Sequence, residues 1–227
     1  MTAGSIGSTI LIWGIALVLA LYLLRQAKRP DRLLGRLLVS VMNGSHSGLT
    51  DWGLRRVTIG PGWRILDVGC GGGRTIQKLA ALAPEGTVAG VDYADGSIAA
   101  SRSTNRRLIA AGRVAIQQAS AERLPYPDGE FDLVTAVETH FYWPNLPNAL
   151  TEIRRVLKPG GTVLLVVESY AGGSHDGAHR LVMRVIGSTR LTVSAHRDLL
   201  TAAGYDGVSV EEEPAKGWLS VLGRKSA

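Results

Sequence analysis

Eleven residues, Ile65–Thr75 (ILDVGCGGGRT), restrict the fold of this chain more than any other stretch. A short apolar segment carrying Asp67 runs into Gly69, Gly71, Gly72 and Gly73, and then into a stretch with helical spacing. Residues without a Cβ let the backbone turn through positive φ and let a ligand approach it closely. The helix that follows offers free N–H groups at its start. A strand, a bare bend and a helix in that order belong to an open α/β sheet, whose ligands sit at the carboxyl edge of the strands.

The rest of the chain repeats the alternation. Strands are predicted at Arg64–Val68, Thr87–Val91, Val114–Gln118, Phe131–Val137, Thr162–Val167, Tyr205–Glu211 and Gly217–Leu222. Helices are predicted over Thr75–Leu82, from a cap at Asp95 or Ser97 to Ala111, over Leu146–Leu157 and over Ala195–Ala203. Lys158-Pro159-Gly160-Gly161 reads as a helix stop and a turn. The expected fold is α/β, a doubly wound, mainly parallel seven-stranded sheet with helices on both faces.

The amino terminus is of a different kind. Ile6–Leu24 is a run of 19 uncharged, mostly apolar positions. As a helix it would span roughly 28 Å, close to the ~30 Å of a bilayer's hydrocarbon core. Arg25, Lys28, Arg29, Arg32 and Arg36 against Asp31 then make a local charge of +4 out of a net +6. Only +2 is left for the rest of the chain, so the basicity is a collar rather than a nucleic-acid face. Positive charge after the apolar run, with none before it, argues for a transmembrane helix and against a cleaved leader, and keeps the bulk of the chain cytoplasmic. The expected organisation is an anchor and collar over residues 1–28, an amphipathic linker helix over 29–45, and one catalytic domain over 46–227. The protein would then be single-pass, with the membrane as a partner and no nucleic acid.

The chemistry of the bend sharpens its meaning. A dinucleotide-binding G-x-G-x-x-G would need glycine three positions after Gly71, where Arg74 stands. Asp67 would repel a pyrophosphate, yet it suits a cationic ligand. Asp92 closes the second strand (TVAGVDY), where a carboxylate can accept both hydroxyls of a ribose. Charge-assisted bonds of that type contribute roughly 1.5–3 kcal/mol each. Cys70 has no partner for an internal disulfide, and the histidines make no ligand cluster with acids, so no metal is expected.

With VAGVDY, ERLPYPDGEFDLV and EIRRVLKPGG following ILDVGCGGGRT in order, the chain from about Val41 to Lys225 resembles a class I S-adenosylmethionine-dependent methyltransferase. It is similar to the ubiquinone/menaquinone-biosynthesis branch, and the resemblance implies a Rossmann-like sheet and S-adenosylmethionine as cofactor. It further implies that Asp67, Gly69, Cys70 and Gly71 line the methionine end of the donor. Asp92 would hold the ribose and Tyr93 cover one face of the adenine. Ser120 and Ala121 stand beside the adenine amine, Ser120 replacing the aspartate of many members. Glu138 and Thr139 would lie beside the methionine part.

The acceptor side is expected in Val137–Asn145 (VETHFYWPN), which gathers Glu138, His140, Tyr142 and Trp143 behind the fourth strand. His140 is the first candidate for a base, because its ordinary pKa of about 6.5 suits proton transfer near neutrality. Glu138 and Tyr142 are further catalytic candidates. His46 is another, with Asp51 and Trp52, from a segment expected to fold over the donor. The partner is a small, lipid-soluble methyl acceptor. A donor-binding module without catalysis and a nicotinamide-dependent oxidoreductase are the alternatives.

Overall fold

The computed structural model describes residues 47–174 and 188–227. The anchor, the collar, the linker helix and His46 fall outside them. Among the described residues no helix is long and apolar enough to cross a membrane.

Seven strands form one sheet: β1 (Arg64–Val68), β2 (Thr87–Asp92), β3 (Val114–Gln118), β4 (Phe131–Val137), β5 (Leu157–Val167), β6 (Tyr205–Glu213) and β7 (Trp218–Lys225). Their order is β3-β2-β1-β4-β5-β7-β6. The pairs from β3 through β5 are parallel, and β7 runs antiparallel to both β5 and β6. The helices are α1 (Ser47–Leu54), α2 (Arg74–Leu82), α3 (Asp95–Thr104), α4 (Arg106–Ala110), α5 (Leu146–Val156) and α6 (Val193–Ala202). The doubly wound, mainly parallel sheet expected from the alternation is present.

Adjacent strand residues serve opposite faces, as a pleated strand dictates. Leu66, Val68 and Val134 pack with Leu150, Ile153 and Leu200 of α5 and α6. Ile65, Leu133 and Leu164 pack on the other face with Leu49, Ile76, Leu79 and Ile98 of α1, α2 and α3. Covering both faces explains why the central strands are nearly continuous apolar runs. Helix starts follow local chemistry. The side chain of Asn145 accepts from the Asn148 N–H at 3.1 Å, and that of Thr192 from Ala195 N–H at 3.1 Å.

Two boundaries differ from the sequence reading by more than three residues. The long helix expected to reach Ala111 breaks at Asn105 into α3 and α4. The Lys158–Gly161 stretch does not end as a free turn. Strand β5 begins at Leu157, which pairs with Phe131, and the stretch is the register shift before Thr162 pairs with Leu133, with Gly160 at φ 76. Asp132 accepts from Lys158 Nζ at 2.7 Å and from the Arg64 N–H at 2.8 Å beside it.

Candidate active site at the carboxyl edge of the sheet

The bend after β1 is built around one carbonyl. The N–H groups of Gly69 and Cys70 both donate to the Val91 oxygen, at 2.8 and 3.0 Å, so the chain reverses against the end of β2. Gly69 has φ 77, and a Cβ there would overlap the Thr139 hydroxyl, which packs against it from behind β4. Gly71 is the opposite case. A Cβ there would meet nothing within 4 Å, so the bend presents bare backbone to open space at this point.

Two acids flank that opening. Asp67 is 2 % exposed and accepts from the Thr135 hydroxyl at 2.7 Å. Burial raises its pKa to about 7, against the Thr135 bond, and Asp92 adds to the rise. Asp92 accepts from the Gly71 N–H at 3.0 Å on one oxygen and from the Ala94 N–H at 2.9 Å on the other. The Ser97 hydroxyl and the Tyr93 N–H donate to the same carboxylate and fix it at the tip of β2. Burial also raises the Asp92 pKa, and these backbone donors oppose the rise. Among the described residues no ion pair reaches either acid. The pair is an enclosed acidic site, and a cationic ligand fits it.

The remaining predicted donor contacts divide. Tyr93 leaves 42 % of its surface exposed directly after Asp92, a large ring with one side open. Gln118 Nε2 donates to the Tyr93 carbonyl at 2.9 Å and holds it at the tip of β3. Ala121 is buried, while the Ser120 hydroxyl accepts from the Glu122 N–H at 3.2 Å in a local turn. Cys70 is buried, and burial followed by the charges of Asp92 and Asp67 pushes its thiol well above the ordinary range. It stays protonated, a small turn residue and no nucleophile.

Behind β4 the chain is strained. Glu138 has φ 56, the one positive φ outside glycine among the described residues. Its carboxylate accepts from the Glu168 N–H at the tip of β5. Burial raises the Glu138 pKa to about 8, and the Glu168 charge adds to the rise. Tyr142, half-buried in the 3-10 turn His140–Tyr142, is pushed up to about 12 by burial and then by the charges of Glu138 and Tyr93.

His140 differs from expectation. It is 1 % exposed, and its Nε2 lies 3.0 Å from Nε2 of His196, itself 2 % exposed. His196 Nδ1 lies 2.8 Å from the Thr192 carbonyl, which can only accept. His196 Nδ1 therefore carries the proton, its Nε2 accepts, and His140 donates through Nε2. His140 Nδ1 keeps a lone pair that is buried without a partner. Burial, followed by the neighbouring His196, holds His140 well below its ordinary pKa. With Nε2 given to His196 and Nδ1 enclosed, His140 anchors the turn on α6. Sequence spacing gave no signal for His196, which meets His140 only through tertiary packing.

Asp51 and Trp52 have structural partners. Asp51 accepts from Lys78 Nζ at 2.5 Å, and Trp52 packs on Trp218 with ring centres 5.9 Å apart. They lock α1 over α2 and β7. Among the described residues no group of His, Cys, Asp and Glu is placed to hold a metal.

Comparison with known proteins gives the same picture of the central region. Residues 66–165 match the family described as a methyltransferase domain. The chain is 40% identical over 114 residues to a demethylmenaquinone methyltransferase of Symbiobacterium thermophilum, covering 48% of this chain and 44% of the relative. It is 32% identical over 132 residues to a 27-O-demethylrifamycin SV methyltransferase of Amycolatopsis mediterranei, covering 56% of this chain and 48% of the relative. The chain thus spans about half the length of the curated relatives it matches. Among solved structures it resembles a chain of the complex between the Haloferax volcanii Trm112 methyltransferase activator and a methyltransferase. The TM-score is 0.73 at 20% identity, over 83% of this chain and 94% of that one.

Proposed function

Because residues 66–165 carry a class I S-adenosylmethionine-dependent methyltransferase domain, we propose that this chain methylates a small acceptor at the cytoplasmic face of a membrane. The observation that carries the donor half is the pair Asp67 and Asp92, two buried acids with no ion-pair partner among the described residues, on either side of the open bend at Gly71. When bound, the donor supplies an electrophilic methyl on a sulfonium, so most of what the protein contributes is placement.

Asp67 and the backbone of Gly69, Cys70 and Gly71 hold the charged methionine end. Asp92 accepts from the ribose, and the exposed ring of Tyr93 covers the adenine, with Ser120 and Ala121 at its edge. Glu138 faces the acceptor. Its pKa near 8 suits taking a proton from an acceptor hydroxyl or amine close to neutral pH. Tyr142 keeps its proton and orients the acceptor by hydrogen bonding.

The membrane and the lipid-soluble acceptor rest on sequence, in the apolar run Ile6–Leu24 and its basic collar. The demethylmenaquinone methyltransferase among the relatives supports an apolar acceptor of this kind. Three measurements test the reading. Purified protein should bind S-adenosylhomocysteine and not NAD by calorimetry. Membranes given methyl-labelled donor should yield a labelled lipid-soluble product. The intact chain should stay in the pellet after carbonate extraction. A chain that binds the donor but labels nothing across lipid extracts, thiols, phenols and amines would be a binding module instead.

A further inference from the structure

The back of the glycine bend is clamped by a residue that belongs to no strand tip. Asn105 stands at the break between α3 and α4, 1 % exposed, with Ser101 fully buried one turn before it. Its Nδ2 donates to the Gly73 carbonyl and to the Ser101 carbonyl, both at 3.0 Å. Rotating the amide would set Oδ1 against two carbonyl oxygens, so this orientation is fixed by its partners. In this orientation Oδ1 is buried without a partner.

As a helix residue Asn105 is a poor choice. Asparagine competes with helical backbone bonds, and a buried carbonyl without a donor is costly. The helical backbone does not require it. Asn105 N–H donates to the Ser101 oxygen at 3.0 Å and Ile109 N–H to the Asn105 oxygen at 2.9 Å, bonds that alanine or leucine would make as well. What the side chain adds is the tie to Gly73. The Gly73 N–H already donates to the Cys70 oxygen at 2.9 Å, so Gly73 is gripped through both its N–H and its carbonyl. A Cβ on Gly73 would overlap both Asn105 Nδ2 and Ser101 Oγ, so the bend lies flat against α3. The Cys70 thiol, 3.7 Å from the Ser101 hydroxyl, closes the same contact. One side of the bend is thus pressed on α3, and the other, at Gly71, faces open space.

We propose that Asn105 is a positioning residue for donor binding, its side-chain amide holding the Gly73 carbonyl so that the Gly69–Gly71 backbone stays in its receiving conformation. The inference rests on the donor reading above. The test is calorimetry with S-adenosylhomocysteine on the full chain and on Asn105→Ala and Asn105→Leu, with thermal melts of all three. Both variants are expected to bind roughly tenfold more weakly, from the loss of one buried amide–carbonyl bond. Asn105→Leu should nevertheless melt close to the parent, because losing the Gly73 carbonyl's donor is offset by removing the unpartnered Oδ1 and by leucine's better helix propensity. A purely structural asparagine would give the reverse split, a lowered melting temperature and unchanged affinity, and that result overturns the proposal. Should neither variant fold, the parent decides by NMR. Exchange of the Asn105 side-chain amide protons and of the Gly73 N–H must slow when S-adenosylhomocysteine is added, and unchanged exchange overturns the proposal. A parent that does not bind the probe overturns the donor reading and this inference together. A parent that binds, with variants that bind equally well, overturns this inference alone.

Discussion

Replacing Asp67 by Asn should make the protein more stable and weaken its hold on the donor. Burial raises the Asp67 pKa from 3.8 to about 7, with the Thr135 bond opposing and Asp92 reinforcing the rise. A folded-state pKa above the unfolded value means that the carboxyl contributes most to stability below about pH 4. That contribution is lost as pH rises through about 7. About three pKa units correspond to about 4 kcal/mol of destabilisation once the group is fully ionised. Asn keeps an acceptor for the Thr135 hydroxyl but brings an amide N–H with no partner, which costs about 2 kcal/mol. The net gain is about 2 kcal/mol at pH 8, a rise in melting temperature of roughly 4–8 °C. At pH 4, where the parent carboxyl is already protonated, the order should reverse, with the variant less stable by up to about 2 kcal/mol. Thermal melts of both proteins from pH 4 to 8 measure this directly. The same substitution removes a charge-assisted contact to the donor, so S-adenosylhomocysteine affinity should fall on the order of 10- to 100-fold. A variant that melts no higher than the parent at pH 8, or binds equally well, refutes the reasoning.

Other perturbations probe the remaining parts. Gly69→Ala forces a side chain into φ 77 and onto the Thr139 hydroxyl, and should cost roughly 1–3 kcal/mol in urea unfolding. Adding Thr139→Ala should recover part of that loss, and strict additivity would show that the two do not touch. The buried imidazole pair has pKa values below the ordinary 6.5, chiefly through burial. Its stability contribution is therefore present above pH 6.5 and lost as pH falls below it. Urea midpoints should drop between pH 6.5 and 5 in the parent, and the drop should flatten in a His140→Phe, His196→Leu double variant. Glu138→Gln should bind S-adenosylhomocysteine as the parent does at pH 7. It should also abolish the rise in methyl transfer through pH 8 with the first acceptor found, and an unchanged pH profile would remove Glu138 from proton transfer.

Where a pattern is local, the sequence alone determined it. The alternation of strands and helices, the bare bend, and the acids at the tips of β1 and β2 follow from hydrophobic period and glycine placement, which act over a few residues. Asp67 and Asp92 are legible because a carboxylate in or at the end of an apolar strand has few structural uses. Three features were settled only by tertiary structure. His140 reads as a base along the chain, yet the packing of α6 brings His196 from 56 positions away and consumes its Nε2. The helix after β2 reads as continuous, yet Asn105 breaks it to meet Gly73 from 32 positions away. The Lys158–Gly161 stretch reads as a helix stop and a turn, and the fold makes it a bulge at the start of β5, where Asp132 on the neighbouring strand accepts from Lys158 Nζ. In each case a polar group found its partner across the fold. Periodicity registers which side of an element is apolar, but it carries no record of which distant donor or acceptor will satisfy a buried polar atom.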